Sequence, residues 1–127
     1  MKTAALMLDN NRCLSVKVAQ NIFEKAHGLA GEEEWTGIPL VFLFRRKCRP
    51  AFWMHRVNFS LDMIWISQGK IIGITRNVPP ANRGLLHNLF FLKRYYPPQK
   101  IDMVIEMAGG ESKQFGLVRG QTVRLEG

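Results

Sequence analysis

The chain has 127 residues, of which 46% are hydrophobic and 22% are charged, and its formal net charge is +8 at pH 7. This length fits a single domain over residues 1–127 with a hydrophobic core of its own, and the apolar content excludes a disordered chain. No apolar run approaches the ~20 residues of a membrane-spanning helix, and the N-terminus lacks the apolar stretch of a signal peptide. We therefore predict a cytoplasmic protein.

The first third of the chain predicts strands joined by polar turns. Leu14–Ala19 alternates apolar and polar residues, as a half-buried strand does, and Lys2–Leu8 is predicted to pair with it across Asp9–Asn11. A short helix is predicted over Asn21–Gly28, with Asn21 as its N-cap and Gly28 as its stop. Ile38–Phe44 is rich in β-forming residues, is interrupted by Pro39, and ends at a basic cluster.

The remaining predicted elements are also mostly strands. The strongest hairpin signal is Leu61–Ile66, then the turn Ser67–Gly69, then Lys70–Thr75. The other predicted elements are strands at Ala51–His55, Ile101–Met107 and Thr122–Leu125 and one helical turn at Glu111–Phe115. Together these elements predict a mainly β protein, formally α+β with a few short helices, built as a compact single-domain β-barrel or jelly-roll-like sandwich.

A long segment at 78–98 does not fit this pattern of short strands and is interpreted as a loop insertion. Two Pro-Pro pairs enclose it, and leucine, phenylalanine and basic residues fill it. A loop of this length in a compact domain is usually functional or disordered, and this one is too apolar to be disordered. It is either a flap folded on the core or a lid that contacts a small ligand, a protein partner or a second copy of the chain through 83–95.

Several motifs in the chain occur together in one known family. The pieces are Gly28-Leu29, Val41–Phe44, Phe52-Trp53-Met54, Leu61–Ile66, Val78-Pro79-Pro80, Tyr96, Val104-Ile105-Glu106, Gly110, Gly116-Leu117 and Gly120. In order and spacing this set resembles the uncharacterised bacterial and archaeal family known as domain of unknown function 192, over about 110 residues. The resemblance implies a compact β-barrel or jelly-roll-like fold and no established activity. The chain departs from the family pattern at His55-Arg56-Val57 and at Gln121.

Asp62 and Glu106 are the two acids embedded in apolar strands, and His55 lies nearby in sequence. An ionised carboxylate inside a protein needs a dedicated partner. Asp62 is therefore expected to accept hydrogen bonds from backbone amides and to hold a turn in place. If the two strands are neighbours, the alternative is a shared cavity in which these three residues do acid–base chemistry.

Three functions stay open. The first is a non-enzymatic module that binds a ligand or partner in a cleft lined by Trp53, Met54, Asp62 and Trp65, with both tryptophans in the core or on the cleft floor. The second is a hydrolase-like acid–base enzyme that uses Asp62, Glu106 and His55.

The third is a basic barrel that binds nucleic acid. Its phosphate contacts would come from Arg45, Arg46, Lys47 and Arg49, although a positive surface can also serve solubility alone. No cofactor motif or metal-ligand spacing is present, because the three histidines are far apart in sequence. Cys13 and Cys48 are expected to be separate thiols, with a disulfide between them as the alternative.

Overall fold

The structure is a computed structural model that describes residues 1–9, 11–21, 34–54, 57–80 and 93–126. Its regular elements within these ranges are β1 (Lys2–Leu8), β2 (Cys13–Ala19), β3 (Leu40–Cys48), β4 (Leu61–Ser67), β5 (Lys70–Val78), β6 (Ile101–Ala108), α1 (Glu111–Gln114) and β7 (Val123–Glu126). No helix in the described ranges is long and apolar enough to cross a membrane.

The strands form one curled sheet in the order β5-β4-β6-β3-β2-β1-β7, in which only the β2–β3 pair is parallel. The two edge strands approach each other at one end, where the Ile71 amide donates to the carbonyl of Gln121 over 2.9 Å. The sheet is therefore a half-barrel. The predicted mainly β class and the single barrel-like domain are confirmed.

The sheet has an apolar layer on each side, because its residues alternate between two buried faces. The inner core holds one or more buried residues from every strand, among them Leu6, Val16, Val41, Ile64, Ile71, Ile105 and Val123. The outer layer holds Leu40, Phe42, Met63, Trp65 and Val104 from β3, β4 and β6, together with Met54 and Val57 from the chain that crosses them. A strand buried on both faces reads as a continuous apolar run, which explains Leu61–Ile66.

Both predicted hairpins are present. β1 pairs with β2, and β4 pairs with β5 across the two-residue turn Gln68-Gly69. Both turn residues have positive φ, 50° and 76°, which matches the twist of a tight hairpin. The predicted helical turn is α1, and the strands predicted near residues 101 and 122 are β6 and β7.

Two predicted elements need correction. β3 begins after Pro39 and does not end at the basic cluster, but continues through it to Cys48. Ala51–His55 is not a strand over its described part, where Phe52 alone makes an isolated bridge to Tyr95. The helix predicted over Asn21–Gly28 lies outside the described residues, apart from Asn21 itself.

Candidate functional site

Asp62 is fully buried at the end of the half-barrel that α1 closes, and four donors surround its carboxylate. The amides of Asn77, Gly110 and Ser112 donate to it over 2.8, 3.1 and 3.0 Å, and the Ser112 hydroxyl donates over 2.6 Å. The Ser112 hydroxyl also accepts from Arg76 Nε over 3.2 Å. The backbone donors expected for Asp62 are present, and they join β4, β5 and α1.

Glu106 lies on β6, the strand next to β4, yet it does not face Asp62. In the register of β4 and β6, Asp62 is opposite Met107 whereas Met63 is opposite Glu106. Directly opposed residues share a face and successive residues alternate, so the two carboxyl groups lie on opposite faces of the sheet. Glu106 belongs to the outer side, where burial raises its pKa from 4.5 to about 8.

This geometry separates the residues of the acid–base hypothesis. Asp62 is on the inner face with four hydrogen bonds to its carboxylate, and Glu106 is on the outer face among apolar neighbours. The idea that the two acids share one cavity is therefore wrong. His55 lies outside the described residues.

Two extended segments, which we call the arms, cross the outer layer. The first arm is residues 49–54 and the second is 93–98. Phe52 and Tyr95 exchange backbone hydrogen bonds of 2.8 and 2.7 Å, and the Arg49 guanidinium donates twice to the carbonyl of Pro97, over 3.1 and 3.0 Å. The second arm, which is the end of the insertion predicted at 78–98, is therefore held to the first arm by hydrogen bonds at both places. The centre of that insertion, 81–92, lies outside the described residues.

The residues predicted to line one cleft are distributed over three places. Met54 and Trp65 are buried in the outer layer, and the Trp65 indole donates to Thr75 Oγ1 over 2.9 Å. Trp53 points away from this layer and is 45% exposed, which corrects the expectation that both tryptophans are buried. Asp62 is on the inner side. The structure does not bring Trp53, Met54, Asp62 and Trp65 together.

The exposed side of the arms carries aromatic rings and cations together, and we call it the aromatic–basic face. It consists of Trp53, Lys93, Arg94 and Tyr96, which are exposed, and it is bordered by Tyr95, which is half-buried and packs on the outer layer. The Arg94 guanidinium carbon lies 4.2 Å from the centre of the Trp53 ring, and the Lys93 ammonium lies 5.2 Å from that of Tyr95. Tyr96 is 53% exposed. The sequence analysis did not identify Lys93 and Arg94 as partners of these rings. The stretch from Lys93 to Lys100 contains no Asp or Glu, which could have indicated that these cations pair with something other than a carboxylate.

The predicted polyanion-binding cluster lies at the far end of β3, just before the first arm. Between the pairs Leu43–Met103 and Cys48–Ile101, four residues of β3 oppose the single residue Asp102 of β6, so the cluster occupies an irregular bulge. Bulges redirect side chains at sheet margins. The three basic residues in the bulge are exposed, namely Arg45, Arg46 and Lys47. The fourth member of the cluster, Arg49, donates instead to the carbonyl of Pro97 in the second arm.

The described ranges contain no group of three His, Cys, Asp or Glu residues that could hold a metal ion. Cys13 and Cys48 are free thiols.

Comparison with known proteins places the chain in a family. The sequence profile of DUF192, described as "Uncharacterized ACR", matches residues 5–125. The chain belongs to the DUF192 family. The family resemblance predicted from the sequence motifs is thereby confirmed. A search of the curated proteins found no match to the chain.

Two solved structures share the fold of this DUF192 chain. One is described as a putative transcription regulator from Sinorhizobium meliloti 1021 and is 20% identical, with a TM-score of 0.78. The matched region covers 97% of this chain and 92% of the regulator's chain. The other is a protein of unknown function from Novosphingobium aromaticivorans DSM 12444 and is 19% identical, with a TM-score of 0.76. The matched region covers 96% of this chain and 83% of the other chain. At these identities the likeness shows the fold alone.

Proposed function

We propose that this protein is a non-enzymatic binding module whose aromatic–basic face binds single-stranded nucleic acid. The observation that carries the proposal is the guanidinium of Arg94 over the ring of an exposed Trp53, on an arm that also carries Lys93 and the exposed Tyr96. Proteins that bind single strands combine a positive track for the phosphates with aromatic rings on which bases stack. Both parts are present on this face.

The charge of the arms supports an anionic partner. The sequence from Ile38 to Met54 and the sequence from Lys93 to Lys100 contain no Asp or Glu, whereas together they contain seven Lys and Arg. The overall charge of +8 is therefore unevenly distributed, and these two stretches meet through the Phe52–Tyr95 bridge. A local excess of one sign of charge attracts a polyanion and leaves few groups that would repel it.

The stacked pair supports recognition of bases as well as phosphates. An indole and a guanidinium are both planar, and bases stack on either kind of surface. A base can therefore extend the stack that Trp53 and Arg94 already form, without a large rearrangement of the arms. Tyr96, exposed on the same arm, offers a second ring.

Other anionic partners fit this face less well. An interfacial membrane anchor presents aliphatic and aromatic side chains together, whereas the large exposed hydrophobics of the described arms are Trp53 and Tyr96 alone. An acidic peptide would use the cations but not the planar rings. The description of one structural neighbour as a putative transcription regulator is compatible with nucleic-acid binding and is a statement about that protein.

The proposal is tested by fluorescence anisotropy with labelled oligothymidylate and oligouridylate of about 12 nucleotides, a length within the site sizes of small barrels. We expect binding that weakens steeply between about 50 and 200 mM salt. Trp53→Ala should weaken binding about tenfold, since stacking of one base contributes about 1–3 kcal/mol. Arg94→Lys keeps the charge, so it should weaken binding while leaving the salt dependence unchanged.

The matched control is Arg119→Ala, which removes an exposed arginine outside both arms. It should reduce affinity far less than Arg94→Ala. Absence of salt-sensitive binding in the wild-type protein would contradict the proposal, and so would equal losses for the Arg94 and Arg119 variants.

A further inference from the structure

A pocket of about 550 Å³ lies at the end of the half-barrel opposite α1, and we call it the mouth pocket. Its lining comes from the chain after β2, the bulge of β3, the β4–β5 turn and the start of β6. The lining residues are Gln20, Leu43, Phe44, Arg45, Gly69, Asp102 and Met103. Its volume is that of an ordinary small-ligand site, and the mouths of β-barrels are a common place for such sites.

The floor of the pocket is apolar. Leu43 and Met103 are cross-strand partners, both half-buried, and both pack on the inner core. A hydrocarbon group placed there would remove from water apolar surface that the fold leaves partly open, which favours binding. The floor therefore selects for a ligand with an aliphatic or thioether body.

The rim carries one charge of each sign. Arg45 is on the bulge of β3, and Asp102 is the residue of β6 that the bulge surrounds. No ion pair joins them within the described ranges, and Asp102 Oδ2 accepts from the amide of Gln68 over 3.2 Å, which orients its carboxylate at the hairpin turn. The guanidinium suits a carboxylate, and the carboxylate of Asp102 suits an ammonium group.

A smaller pocket on the same molecule provides a contrast. It has a volume of about 360 Å³, and Asp9 and Arg124 are among its lining residues. There the guanidinium of Arg124 is already paired with Glu126 over 2.7 Å. The mouth pocket is larger, and its Arg45 has no such carboxylate partner in the described part of the chain.

We propose that the mouth pocket binds a small zwitterion with an apolar body, the chemistry of a free aliphatic α-amino acid. Its carboxylate contacts Arg45, its ammonium contacts Asp102, and its side chain lies on Leu43 and Met103. This site uses neither Trp53 nor Arg94, which carry the nucleic-acid proposal, and it shares only Arg45 with the basic stretch of the first arm and β3. Loss of leucine binding and loss of oligonucleotide binding can therefore be measured separately.

The test is saturation-transfer NMR with L-leucine and L-methionine as probes, compared with N-acetyl-L-leucine, which lacks the ammonium, and L-leucinamide, which lacks the carboxylate. We expect both amino acids to bind and both blocked analogues to bind at least tenfold more weakly. Binding of the analogues as strongly as leucine, or no binding of either amino acid, overturns the proposal.

Variants locate the binding. Arg45→Ala should abolish the leucine signal, whereas Arg124→Ala, at the smaller pocket, should leave it unchanged. Asp102→Asn keeps an acceptor oxygen for the Gln68 amide and removes the charge, so it should weaken leucine binding without unfolding the hairpin. Circular dichroism of each variant checks the fold, and a leucine signal that survives Arg45→Ala in a folded protein overturns the assignment.

Discussion

Glu106 makes the stability of this protein depend on pH in an unusual direction. The group has a pKa of 4.5 in an ordinary setting and about 8 in the folded protein, because burial in the outer layer disfavours its charged form. Between these two values the folded state keeps the proton and the unfolded state releases it. Raising the pH therefore favours unfolding, and stability falls through this window and levels off above pH 8.

The size of the effect follows from the same two values. Each unit between the pKa values corresponds to about 1.4 kcal/mol, so the free energy of unfolding should fall by roughly 5 kcal/mol between pH 4.5 and pH 8. That is a large part of the 5–15 kcal/mol that stabilises a typical domain. Replacing Glu106 with Gln removes the ionisable group and keeps a side chain of the same size.

Urea denaturation from pH 5 to pH 9, followed by tryptophan fluorescence, tests this reasoning. The Glu106→Gln protein should be more stable than wild type at pH 8 and should lose most of the pH dependence. The control is Glu34→Gln, which changes an exposed carboxylate and should leave the curve of the wild type unaltered. A Glu106→Gln protein with the wild-type slope would refute the reasoning.

Three further predictions concern stability. Asp62→Ala should lower the free energy of unfolding by about 3 kcal/mol or more, because buried donors lose their acceptor, and an unchanged urea midpoint would contradict this. Trp65→Ala should cost about 3–5 kcal/mol, whereas Trp65→Phe, which loses the hydrogen bond to Thr75 and part of the buried ring, should cost about 1–3 kcal/mol in the same assay. Arg49→Ala should accelerate amide hydrogen exchange in both arms, and Arg46→Ala, which removes an exposed cation, should not.

The fold was readable from the sequence where strand patterns are local. The β4–β5 hairpin combines two apolar runs with a Gly-containing turn, and the β1–β2 hairpin combines alternation with a polar turn. The end of β3 was not readable in this way. Charged residues usually indicate that a buried strand has ended, whereas here the strand continues as a bulge that keeps Arg45, Arg46 and Lys47 exposed.

The candidate sites depended on facts that a single sequence does not contain. Asp62 and Glu106 are on adjacent strands as the hypothesis required, but a register offset by one residue places them on opposite faces. From the sequence, Phe52, Trp53 and Met54 were all expected to be buried because all three residues are apolar. In the arm, Phe52 and Met54 face the outer layer and Trp53 faces outward, where Arg94 from the second arm covers one side of its ring.

The most direct test of the central claim uses the intrinsic fluorescence of Trp53. Titration of the protein with unlabelled oligouridylate should quench part of the tryptophan emission, because a base that stacks on the exposed indole quenches it, and added salt should reverse the quenching. In the Trp53→Phe variant the remaining tryptophans, Trp35 and Trp65, should show no change. Quenching that persists in Trp53→Phe, or wild-type emission that is unaffected by oligouridylate at low salt, would contradict the account.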